Sequence, residues 1–215
     1  MEKNLREGWL TSAFQQSRER MQQFSPEEIS QRTLLNYDRS RNCFSVNSFG
    51  HNIEIFYPGG EMSLINSEQK TISIYWELIL LNYLSHAVDI PLQKQWVSYR
   101  ELEHGNLYYP NIRNHVLERL GSFFSECDKD LLKDLLNRLG FAIVDTKADL
   151  AARGEFVPRI PVLIQFWDGE EGISSTCQIL FDITTSEQMH IEDTGALCRL
   201  VKDLIIKGYA SRASK

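Results

Sequence analysis

The stretch VPRIPVLIQFWDGEEGISSTCQILFDITTSEQMHIED, from Val157 to Asp193, holds two apolar runs joined by an acidic segment. Ile160 to Trp167 is rich in β-branched and aromatic residues, and Thr176 to Ile183 has the same character, which marks both as strands. Between them Asp168-Gly169, a dipeptide suited to positive φ, precedes Glu170, Glu171 and Gly172, so the strands are expected to fold back as an antiparallel hairpin. The runs are almost continuously apolar rather than alternating, as in strands covered on both faces in the middle of a sheet. Pro158 and Pro161 belong at the strand entrance, where a missing donor does little damage.

The hairpin divides its acids into two sets. Asp168, Glu170 and Glu171 fall at the turn, whereas Asp182 lies at the far end of the returning strand, with Glu192 and Asp193 beyond it. At ~3.3 Å per residue, a strand of about eight residues keeps the sets roughly 25 Å apart, too far for one metal ion to be bound by both.

Outward from the hairpin, the chain alternates between two periods. Asn4 to Gln23 places Leu5, Trp9, Leu10, Ala13, Phe14, Ser17 and Met21 on one helical face. Ser25-Pro26-Glu27-Glu28 starts a short second helix, with an N-cap, proline at the first helical position and acids in the first turn. The stretch 42–65 reads as a β-meander broken at Gly50-His51 and at Pro58-Gly59-Gly60. Ile72 to Ala87 is apolar almost all round, which predicts a central buried helix that stops before Pro91.

Leu92 to Pro110 resists periodic assignment and reads as a long ordered loop, rich in aromatic and charged side chains. Ile112 to Phe124 and Leu131 to Leu139 predict an antiparallel pair of helices, the second started by Asp128 and ended by Gly140. Phe141 to Asp145 reads as one more strand, and residues 191–208 as a C-terminal helix whose first turn carries Glu192 and Asp193. With no internal repeat and no convincing linker, the expectation is one α+β domain: an antiparallel or mixed sheet packed against several helices.

The chain has 215 residues, 42% hydrophobic and 24% charged, ordinary values for a soluble globular protein. Its longest apolar stretch, Ile72 to Leu84, is interrupted and too short to span a bilayer, and Met1 to Arg6 lacks the pattern of a signal peptide. A cytosolic protein with no membrane association is expected. A net charge of -6, with Arg18, Arg20, Arg39 and Arg41 interleaved with acids or polar residues, argues against nucleic acid as a partner. Cys43, Cys127, Cys177 and Cys198 are too scattered for a zinc knuckle or an iron-sulfur run and read as free, mostly buried thiols.

Functional readings compete with plainer ones at every candidate. Asp168, Glu170 and Glu171 make a carboxylate cluster or a solvated hairpin tip that discourages aggregation. Glu192 and Asp193 suit the helix dipole. Asp182, flanked by apolar residues, needs a partner, either Arg100, Arg159 or the backbone amides of the Thr184-Thr185-Ser186 turn. His86 suits a helix C-terminus, and among the histidines His104 is the acid-base candidate. HExxH, nucleophile-elbow, phosphate-loop and dinucleotide patterns are all absent.

Four patches carry a family resemblance: Pro58-Gly59-Gly60; Trp96-Val97-Ser98-Tyr99-Arg100-Glu101-Leu102 with Gly105 and Tyr108; Pro158 to Val162 through Trp167 to Glu171; and Leu180-Phe181-Asp182 with Glu192-Asp193. By their order and spacing the chain resembles the family of domain of unknown function 3786, from about Ser25 onward. The resemblance implies a protein of anaerobic bacteria and archaea, in a family some of whose members look fused to iron-sulfur modules found beside corrinoid proteins. This chain lacks the clustered cysteines of such modules.

The leading expectation is a ligand- or cofactor-binding accessory protein, with Arg100, Glu101 and Tyr108 as polar contacts, Trp167 as an apolar wall, and Asp168, Glu171 and Asp182 as acidic candidates. A small-molecule ligand such as a corrinoid or other tetrapyrrole is one expectation, its identity otherwise unknown. The rivals are a metal-dependent hydrolase or lyase using the carboxylates, and a structural subunit whose aromatic loop meets a protein partner.

Overall fold

The computed structural model describes residues 9–65 and 72–213. The N-terminal end of the first expected helix, before Trp9, lies outside them. Helix α1 (Trp9–Met21) is followed by α2 (Pro26–Thr33), whose Ser25 side chain and Glu28 carboxylate form the reciprocal capping box that the sequence announces. Strands β1 (Asn36–Asp38), β2 (Cys43–Ser48), β3 (His51–Phe56) and β4 (Met62–Leu64) then form an antiparallel meander in that order. Helix α3 (Ile74–His86) is capped by Ser73 and buries Trp76, Ile79, Leu80, Leu81, Tyr83 and Leu84.

The expected loop from Leu92 to Pro110 is only partly a loop. It contains strand β5 (Trp96–Ser98), a 3₁₀ turn (Tyr99–Glu101) and helix α4 (Gly105–Ile112). Beyond a π-helical turn at Arg113–Leu117 the chain continues as α5 (Glu118–Glu126), so the helix read from Ile112 is one arm of a longer rod. Pro110 has no N–H to give the preceding turn, and the wider turn comes just after it. Helix α6 (Lys129–Arg138) is capped by the Asp128 carboxylate and followed by Gly140 at φ 71. Rather than forming a close pair with each other, α5 and α6 both lean on the last helix.

The second sheet contains β5, β6 (Ala142–Ile143), β7 (Leu150–Val157), β8 (Ile160–Trp167) and β9 (Thr176–Asp182) in the order β5-β9-β8-β7-β6, all antiparallel. The hairpin strands β8 and β9 are interior, as their composition requires. Burial on both faces holds for β8; β9 alternates, with Thr176 and Gln178 exposed and Cys177, Ile179 and Phe181 buried. The connection between them is wider than the tight Asp168-Gly169 turn expected. Residues 168–175 form it, with a bridge between Glu170 and Ile173, and the left-handed residue is Gly172 at φ 82. Short α7 (Thr185–Gln188) leads to α8 (Ile191–Ala213), which runs past residue 208.

The two sheets belong to one core. Phe49, at the tip of the β2–β3 hairpin, has a left-handed φ of 46 that packing sustains: it is fully buried, stacks on Phe141 at 5.0 Å, and donates its N–H to the Glu155 carbonyl at 3.1 Å beside the bulge in β7. On the other side α5 lies across β9 and β8, with Phe124 stacked on Phe166 at 4.6 Å. Each such buried ring contributes about 1.5–3 kcal/mol. Helix α8 packs against α3, α4, α5 and α6, and α1 packs on α3. Cys43, Cys177 and Cys198 are buried free thiols and Cys127 is half-buried. No helix among the described residues is long and apolar enough to cross a membrane.

Candidate functional site

A cleft of 580 Å³ opens where the ends of several helices meet. Its lining comes from α1 (Arg20), α3 (Asn82), the start of α4 (His104, Leu107, Tyr108) and the start of α8 (His190, Ile191, Glu192, Asp193). Asn82 on α3 bonds Asp193 and Tyr108 on α4 bonds Glu192, so the first turn of α8 lies against both helices and residues distant in sequence share this wall.

The floor is a short hydrogen-bonded relay. Ser17 Oγ lies 2.5 Å from Asn82 Oδ1, which orients the amide so that Nδ2 donates to both oxygens of Asp193, at 3.0 and 3.1 Å. Burial pushes the Asp193 carboxyl above the ordinary carboxylate range, against the opposing pull of the Asn82 hydrogen bond. One turn along α3, His86 sets Nδ1 3.0 Å from the Asn82 carbonyl oxygen. A carbonyl oxygen only accepts, so that contact assigns the proton to Nδ1. The His86 ring meets His190 edge to face, 4.4 Å between centroids. Burial holds the His86 pKa below its usual value, against the Asn82 hydrogen bond and with smaller pulls from neighbouring groups that include Arg20 and Arg32. At the rim, Tyr108 Oη donates to Glu192 Oε1 at 3.4 Å, and His104 caps α4 with a left-handed φ of 60.

The raised pKa of Asp193 means that its ionised form opposes folding: the stabilising contribution is complete below the ordinary value and lost as pH rises through the folded value. Asp193→Asn keeps an acceptor for Asn82 and removes the buried charge. It is therefore expected to melt no lower than the wild type at neutral pH, with any advantage vanishing as pH is lowered through the Asp193 transition, as read by thermal melts across pH.

The residues singled out from sequence fall in several places. Tyr108 lines the cleft and is 43% exposed. Arg100 and Glu101 line a second, smaller depression of 400 Å³ with Tyr99, Tyr109, Leu117 and Gln178; the Arg100 guanidinium lies 5.9 Å from the Tyr109 ring. Glu101 is already engaged, accepting from Ser98 N and Oγ at 2.8 and 2.7 Å, and the Ser98 hydroxyl and amide hold its pKa low. Trp167 ends β8, half-buried, and lines neither depression. Asp168 pairs with Lys129 at 3.2 Å, while Glu170 and Glu171 are exposed in the hairpin connection.

Asp182 is buried and fully occupied. It accepts from Gln93 N (3.2 Å), Lys94 N (2.6 Å), Thr184 N (3.1 Å) and Thr184 Oγ1 (2.7 Å). Neither Arg100 nor Arg159 is its hydrogen-bond partner; the buried Arg159 instead holds Asp89 and the carbonyls of Gln31, Arg32 and Ile90. Among the described residues no group of three His, Cys, Asp or Glu side chains converges so as to hold a metal ion.

Sequence reasoning missed Arg20, Asn82 and His190, and it gave His86 and Asp193 only helix-end roles. No local spacing links them, because α1, α3 and α8 bring them together only through packing. The one local trace was the pair of acids following His190 in the last family patch.

Fold and cleft define a one-domain α+β protein with two antiparallel sheets and a polar cleft at a convergence of helix ends. The chain belongs to the family Domain of unknown function (DUF3786), which matches residues 25–203. That span includes Asn82, His86, His190 and Asp193, whereas Ser17 and Arg20 precede it. No curated protein and no solved structure matches the chain.

Proposed function

We propose that the protein binds a small polar molecule in the cleft walled by α1, α3, α4 and the start of α8. The observation that carries this reading is Asp193, a largely buried carboxyl with a raised pKa, held by both-oxygen contacts to the Asn82 amide in the lining of an open cleft. Burying such a group is costly, and a carboxyl held by a side-chain amide in the lining of a cleft has the form of a prepared ligand contact. The polar lining supports a compact polar ligand better than a tetrapyrrole, whose broad faces need an apolar slot.

A thermal-shift panel of small carboxylic acids, phosphate esters, amines, sugars and nucleosides tests the reading. At a hundredfold excess over Kd a ligand stabilises by about 2.7 kcal/mol, which for a chain of this size is roughly 5–10 °C. The expected result is such a rise for at least one class, abolished in Asn82→Leu. No rise with any class, or an equal rise in the variant, would overturn it.

A further inference from the structure

We propose that the smaller depression, lined by Arg100 and Glu101, binds a free α-amino acid with an apolar side chain. Its carboxylate sits on the Arg100 guanidinium, its ammonium on Glu101, and its side chain against Tyr109, Leu117 and Ile179. This second place is separate from the cleft and does not depend on it.

The two charges come from one turn. Arg100 and Glu101 are consecutive in the 3₁₀ turn Tyr99–Glu101, where three residues complete a turn and neighbouring side chains leave the axis about 120° apart. Both are exposed and both line the same hollow. Arg100 makes no hydrogen bond or ion pair among the described residues, with Glu101 or with any other group. Glu101 is fixed by Ser98, whose N–H and hydroxyl both donate to Oε2; Oε1 accepts nothing among the described residues. A cation and an anion therefore stand apart beside one hollow, each with hydrogen-bonding capacity left over. A ligand of a single charge would satisfy one of them and be repelled by the other, whereas a zwitterion satisfies both with charge-assisted bonds.

The apolar part of the lining comes from three elements. Ile179 on β9 is buried, and Tyr109 on α4 and Leu117 in the π-helical turn are half-buried and pack against the core. In an unbroken α-helix, eight residues at about 100° each would leave Tyr109 and Leu117 roughly 80° apart around the axis. The π-helical turn at Arg113–Leu117 advances less per residue, which brings the two nearer to one line. Widened turns of this kind are frequent at functional sites, and here the widening shapes the wall. Gln178 adds a neutral amide beside Ile179. At 400 Å³ the hollow is at the small end of the ~300–1,000 Å³ usual for ligand pockets, and it joins apolar walls to a few polar groups as they do.

Calorimetric titration of the full chain with L-phenylalanine and L-leucine tests the proposal, at about pH 6, where an α-amino group stays protonated. The comparison ligands are N-acetyl-L-phenylalanine, which lacks the ammonium, L-phenylalaninamide, which lacks the carboxylate, and L-alanine, which lacks the apolar body. Both apolar amino acids are expected to bind saturably, and the other three roughly tenfold or more weakly. Arg100→Gln removes the cation from an exposed position. Glu101→Gln removes the anion and keeps the reciprocal cap with Ser98, because glutamine also serves there. Each variant is expected to melt close to the wild type and to bind phenylalanine roughly tenfold more weakly. No saturable binding of either amino acid, equal binding of the two blocked analogues, or wild-type affinity in either variant would overturn the proposal. Phenylalanine binding that is lost in Asn82→Leu but kept in Arg100→Gln and Glu101→Gln would overturn it and assign the amino acid to the cleft instead.

Discussion

In Asp182→Ala the melting temperature is expected to fall by roughly 6–12 °C, the consequence of losing about 3 kcal/mol. Three backbone amides and one hydroxyl donate to this single carboxylate, and alanine leaves them facing a void at the end of β9. Two chain segments, 93–94 and 184, lose their common anchor together. Burial alone would raise the Asp182 pKa, but the bonds from Thr184, Gln93 and Lys94 outweigh it and hold it low. The sign of the pH effect follows. The contribution is present above the ordinary aspartate value and is lost as pH falls through the lowered one, so wild type and variant should converge in strong acid. Chemical denaturation at neutral and acid pH checks both parts.

The second large effect belongs to Gly105→Ala. Gly105 opens α4, and a Cβ there would overlap the carbonyl oxygen of Tyr99, a backbone atom that cannot swing aside. The helix start must move, and His104, Leu107 and Tyr108 move with it. A destabilisation of about 1–3 kcal/mol is expected from the overpacking. Ligand affinity, measured by calorimetry on the folded fraction, should fall by more than stability alone explains. Unchanged affinity would show that this wall of the cleft contributes nothing to binding.

The elements that could be read from sequence are those written in local chemistry. Ser25 with Glu28, Asp128 before a leucine-rich period, Gly140 after it, and the paired apolar runs of β8 and β9 each carry their own signal. The stretch 92–110 hid its structure because β5 is three residues long, too short to show alternation. Even there Ser98 and Glu101 had capping-box spacing, a legible sign of the turn that follows. The cleft was not legible for a different reason. Arg20, Asn82 and Asp193 lie on three helices, and only packing makes them neighbours. An acidic hairpin tip drew attention because its charges are adjacent in sequence, yet among them only Asp168 makes an ion pair.

Helix α8 begins at the cleft floor and runs 23 residues through the centre of the molecule, touching α3, α4, α5 and α6. Asp193 therefore stands on a beam rather than on a loop. Both of its oxygens are held by Asn82 on the neighbouring helix, so a guest that mismatches it must break that contact. On the proposed reading, discrimination at this floor is set before any molecule arrives, in the way a mould is finished before casting.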